Sequence, residues 1–150
     1  GQVEVAGYNT PVLVVKSTKT FAGYRNTRDL QALIATAYAD QRSFFRIWTT
    51  RDATAITLND QSWASYGNGN IEYIQYDNPN VTLPMTFDTA KTKLIFGSRV
   101  DQDQSYAASA LFDGHAHFYQ TPEDILIFTI HRENGSEVNV GVTYEFAEEV

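Results

Sequence analysis

Cysteine is absent from all 150 residues. A thiol nucleophile and a cysteine-ligated zinc are therefore excluded, and no redox compartment can be inferred. Basic residues are scarce: 11 Lys and Arg stand against 18 Asp and Glu, for a net charge of −7. A pI near 4.8 disfavours nucleic acid and anionic membrane, since both are recognised through basic patches. It suits a particle surface or a neutral ligand. No apolar run approaches the ~20 residues of a membrane-spanning helix. No signal-peptide pattern is visible, and Gly1 reads as a product of processing or an added residue. Phosphate loops, nucleophile elbows, internal repeats and linkers are also missing. What remains is one domain over 1–150, long enough to bury roughly 68–70% of its unfolded surface without covalent staples.

Asparagine, glutamine, threonine, serine and tyrosine are plentiful, and the C-terminal third carries the clearest pattern. Asp124 to His131 includes Ile125, Leu126, Ile127 and Phe128, apolar on both faces of a strand. Val138, Val140, Val142, Tyr144 and Phe146 then alternate with Glu137, Asn139, Gly141, Thr143 and Glu145. Asn134-Gly135 lies between them, and that dipeptide tolerates the positive φ of a tight reversal. The pattern predicts a β-hairpin from Asp124 to Phe146 whose first arm is covered on both sides.

Further strands are expected at 11–16, 43–50, 54–58, 70–76, 81–87 and 93–100, with one long or broken strand over 106–119. Pro84 marks 81–87 as an edge or bulged strand. Leu30, Leu33, Ile34, Ala37 and Tyr38 recur at helical spacing after Thr27, a candidate cap, and predict one helix near 28–39. The expected fold is all-β, an antiparallel jelly-roll barrel or sandwich of about eight strands with one short α-helix near the N-terminal third.

Three constellations could carry chemistry. His115 and His117 share a strand face, and with His131 they could ligate a transition metal, as in a cupin. The spacing departs from that pattern, because Glu123 lies beyond Thr121-Pro122. Paired surface histidines are the competing reading, no cofactor is expected, and the side His131 faces depends on the turn register. Asp101, Asp103 and Ser105 open like a calcium loop but lack its glycine and its closing glutamate. Trp63 and Tyr66 lie among Asn68 and Asn70, a composition that suits a sugar ring and equally suits a loop packed on a barrel.

The strand pattern, the early helix and the Val140–Phe146 strand with its acidic tail resemble the single jelly-roll viral capsid proteins. They are most similar to the small coat proteins of tailless icosahedral DNA phages. The resemblance implies a non-enzymatic structural protein of the virion that self-associates and packs against a second coat protein. The lack of a basic N-terminal arm fits a coat over an inner layer or membrane, with no direct contact to nucleic acid. Surplus apolar surface at Ile125, Ile127 and Phe128 predicts a homo-oligomer, at least a dimer, with those residues at or near the interface. The alternatives are an extracellular carbohydrate-binding β-sandwich and a cupin-like metal-binding protein.

Overall fold

The fold is seen in a computed structural model that describes residues 3–5, 9–18, 20–21, 24–25, 30–59, 62–66, 70–76, 85–102, 104–107, 119–133 and 137–148. Its strands are β1 Val3–Val5, β2 Thr10–Ser17, β3 Thr20–Phe21, β4 Tyr24–Arg25, β5 Leu30–Ala39, β6 Ser43–Thr50, β7 Ile56–Leu58, β8 Ala64–Tyr66, β9 Ile71–Gln75, β10 Met85–Phe87, β11 Lys93–Val100, β12 Gln104–Ala107, β13 Tyr119–Gln120, β14 Ile125–Arg132 and β15 Val138–Glu148. One sheet runs β11-β6-β14-β2-β9-β8. The facing sheet runs β1-β15-β5-β12, with β13 also paired to β5. Two further pairs, β7–β10 and β3–β4, stand apart, and every pairing among the described residues is antiparallel. The protein is an all-β antiparallel sandwich.

Five pairings are nested in the sequence. β1 pairs with β15, β2 with β14, β5 with β12 and β13, β6 with β11, and β7 with β10. Each pair encloses the next, as in a long two-stranded ribbon folded back on itself. β8 and β9 lie inside the innermost pair in sequence yet extend the β2 side of the large sheet.

The helix expected near 28–39 is not present; the chain from Leu30 to Ala39 is β5, paired along its length with β15. The helical spacing of Leu30, Leu33, Ile34, Ala37 and Tyr38 coexists with a period-two pattern, Ala35-Thr36-Ala37-Tyr38-Ala39. The buried members are Ala35, Ala37 and Ala39, which alternate with half-buried Thr36 and Tyr38. Alanine favours helix by only a fraction of a kcal/mol per residue, and burial against a sheet overrides that preference. Small side chains there leave room for Phe45 and Phe128 within the same core. Thr27 lies outside the described residues.

The hairpin expected over Asp124 to Phe146 is also corrected. β14 lies between β2 and β6 in one sheet, and β15 lies between β1 and β5 in the other. His131 is opposite Phe44 rather than Val138. The Asn134-Gly135 turn lies outside the described residues. Just before it, Glu133 N–H still donates to Arg42 O at 3.1 Å, holding the end of β14 beside β6. The two arms meet face to face across the core. That arrangement covers both the two-faced arm and the dry face of its successor.

β14 has a different apolar partner on each face. Leu126, Phe128 and Ile130 join Phe45, Ile47, Ala35, Ala37, Val138, Val140 and Val142 between the sheets. Ile125 and Ile127 join Val14 and Met85 on the other face, packed by Trp48, Ile56, Leu58, Trp63 and Phe87. The second face is thus covered from within the chain, largely by β7 and β10. Ile125, Ile127 and Phe128, expected at a subunit interface, are at most 2% exposed in a single chain. Their apolarity is accounted for without a partner.

Phe128→Ala is expected to lower stability by about 3–5 kcal/mol, because its cavity would open in the middle of the inter-sheet core. Ala37→Leu should cost about 1–3 kcal/mol by overpacking a fully buried strand position. Urea denaturation measures both. A loss below about 0.5 kcal/mol for Ala37→Leu would place residue 37 on an open surface and would not fit β5.

Candidate functional site

Period two puts Leu13 and Val15 of β2 on the inner face of the large sheet. The register sets Tyr73 opposite Val15 and Gln75 opposite Leu13, and places Tyr66 opposite Ile71. These residues line a cleft of about 310 Å³ together with Val142, Thr143, Tyr144 and Phe146 of β15. The cleft forms because β9 and β8 widen one sheet, while the second half of β15 crosses over their inner face. Its volume lies at the lower end of the ~300–1,000 Å³ typical of small-ligand sites.

The walls are aromatic and fixed in place. Phe128 and Tyr144 rings lie 5.2 Å apart between centroids, Tyr144 and Phe146 5.3 Å, and Phe146 and Tyr66 5.8 Å. The series runs from the fully buried core to Tyr66, which is 56% exposed on strand β8. Tyr144 Oη donates to Gln120 Oε1 at 3.5 Å. Gln120 is itself fully buried, and its Nε2 donates to the carbonyls of Val15 and Asp124 at 2.9 Å each. Burial pushes the Tyr144 phenol well above its ordinary pKa, so it stays a neutral donor. None of the ten lining residues is charged.

Among the described residues of the sequence-derived sugar set, only Tyr66 faces this cleft. Trp63 packs on the opposite side with Val14, Ile127 and their neighbours, and Lys16 Nζ stands 4.2 Å from its ring centroid. Lys16 also pairs with Glu72 at 3.3 Å. Asn70 is 2% exposed, and its carbonyl accepts from Thr18 N–H. Asn68 lies outside the described residues. Trp63 and Tyr66 do not converge, because residues an odd number of positions apart along an extended chain point to opposite faces. Tyr73, Gln75, Tyr144 and Phe146 were absent from that set. The alternation on β15 signalled that Tyr144 and Phe146 share a face, but only the sheet order brings that face over β8 and β9.

Of the three histidines, His115 and His117 lie outside the described residues. His131 sits on the outer face of β14, only 5% exposed. Its Nδ1 accepts from Asn9 N–H at 3.3 Å, which puts the proton of the neutral ring on Nε2. Arg46 Nη1 lies 3.4 and 3.5 Å from the two ring nitrogens and donates to Asn9 Oδ1 at 2.9 Å. Phe44 packs against the imidazole at 5.4 Å between centroids. A guanidinium this close opposes a bound cation, so the arrangement of His131 departs from that of a metal ligand. Among the described residues no group of three or more potential ligand side chains converges. Asp103 of the calcium-like turn is outside the described set, and β12 begins directly after it.

Compared with known proteins, the chain has no significant match to a family model, a curated protein or a solved structure. No helix among the described residues is long and apolar enough to cross a membrane.

Burial, then the Arg46 charge, lowers the His131 pKa below its usual 6.5. The unfolded chain therefore binds this proton more readily than the folded one. Stability should be unaffected by this group above about pH 6.5 and should fall as pH drops below it, levelling off under the lowered folded-state pKa. His131→Gln should flatten that part of the stability profile. Denaturation midpoints between pH 7.5 and 4.5 measure it, and an unchanged slope in the variant would remove His131 as its source.

Proposed function

We propose that this chain is a structural coat subunit built as a single jelly roll, which self-associates and packs against neighbouring coat proteins in a virion. The observation that carries this reading is the nesting of five antiparallel pairs. A jelly roll is a rolled antiparallel ribbon, so its first strand pairs with its last, its second with its penultimate, and so inward. β1–β15, β2–β14, β5–β12, β6–β11 and β7–β10 follow that rule. The departures are the position of β7–β10 outside the main sheets, the second pairing of β15 with β5, and the added strands β3, β4, β8 and β9. Shells, lectins and cupins share such barrels, so topology supports the architecture and the site must support the role.

With the apolar run of β14 covered internally, association falls to the sheet edges. Among the described residues β11 is the outermost strand of the large sheet over Lys93–Val100, and Leu94 is 46% exposed on it. An open edge presents a row of backbone donors and acceptors, which a second chain can pair with. Arg99 and Glu133 pair at 3.2 Å close by, giving a polar rim. The acidic balance favours protein neighbours, or an inner layer beneath the coat, over direct contact with nucleic acid.

Sedimentation or light scattering at near-millimolar concentration tests the reading. The expected result is a dimer or larger assembly, with an interface on the order of 1,200–2,000 Å² in total. Leu94→Asp should weaken that assembly while leaving the unfolding free energy within about 0.5 kcal/mol of the parent. A strictly monomeric protein would sink the coat reading.

A further inference from the structure

We propose that the cleft between β15 and the β2–β9–β8 side of the large sheet is a binding site for a neutral saccharide. The proposal stands independently of the coat reading. Its first support is the exposed ring of Tyr66, which abuts Phe146 at 71° between ring planes and keeps more than half of its surface open. An aromatic ring held edge-on by a neighbour offers a face to the apolar C–H face of a sugar.

The second support is electrostatic. In a chain of net charge −7, this cleft is lined by no ionisable carboxylate or amine. A charged ligand would lose its hydration without finding a counter-charge. A wholly apolar ligand would cover the polar ends of Gln75 and Tyr73 without pairing with them, which is also unfavourable. A neutral ring carrying hydroxyl groups satisfies both constraints: it stacks on Tyr66 and hydrogen-bonds to Gln75 and to the Tyr73 hydroxyl.

The third support is preorganisation. Tyr144 and Phe146 belong to the ring series rooted in Phe128, and Gln120 holds the Tyr144 hydroxyl from behind. A site whose rings are already fixed loses little conformational freedom on binding. The site overlaps the sequence-derived sugar set at Tyr66 alone and lies on the opposite side of the sheet from Trp63.

A glycan array of neutral and acidic saccharides, followed by calorimetric titration of the best neutral hit, tests the proposal. Retention of neutral glycans is expected. Tyr66→Ala should weaken binding by about tenfold or more, a change of about 1.4 kcal/mol. Gln75→Arg, an exposed lining residue on the cleft face of β9, should block the cleft, whereas Trp63→Ala should leave affinity within about twofold. Far-ultraviolet dichroism checks that each variant is folded, and Gln75→Arg keeps the test decisive should Tyr66→Ala unfold. The proposal is overturned if no neutral glycan binds, if only acidic glycans or planar compounds such as free nucleosides bind, or if folded Tyr66→Ala and Gln75→Arg proteins bind like the parent. Loss of binding in Trp63→Ala alone would move the site to the other face and overturn it as well. Solution mass is independent of these outcomes: a monomer that binds glycan retains this site, and an assembling chain that binds none discards it.

Discussion

Two-sided burial of β14 is the constraint on which the rest of the structure depends. Its residues Ile125 to Ile130 are all at most 2% exposed. A strand with no wet face must have a neighbour on each edge and a layer on each side. β2 and β6 supply the edges, β15 and β5 supply one layer, and β7 with β10 supplies much of the other. Each of those elements therefore has its place set by a single run of the sequence.

The polar groups drawn into this core are satisfied where they lie. Thr129 is fully buried on β14 and accepts from Trp48 Nε1 at 3.0 Å. Gln120 bridges β2, the start of β14 and Tyr144. Among the described residues no buried side-chain nitrogen or oxygen lacks a partner. An unpaired buried polar group would cost about 1–3 kcal/mol, so these contacts restrict how the sheets can be stacked. Gln120 links core and cleft, since the same amide that closes the core also fixes a ring of the cleft wall.

The two sides of the sandwich consequently differ. The outer face of the large sheet carries charge where it is uncovered, with Arg46, Arg99 and Glu133 around Phe44 and His131. The cleft is uncharged and aromatic. The charged outer face and the uncharged cleft are open to separate measurement because they lie on opposite sides of the large sheet.

Much of the fold was legible in the amino-acid order. Alternating and continuous apolar runs located β2, β6, β9, β11 and β14 within a residue or two, because a strand's burial pattern is a local property. Burial of Ile125 to Phe128 on both sides was readable for the same reason. Three features were not local. Whether Leu30 to Ala39 coils or extends was decided by pairing with β15, since the run satisfies both periods. Whether the arms around Asn134-Gly135 pair with each other or face each other was decided by which neighbours could cover β14 on both edges. And whether Tyr66 shares a site with Trp63 or with Tyr144 was decided by sheet order, because residues an odd number of positions apart on an extended chain face opposite sides and only the tertiary structure says what each side meets.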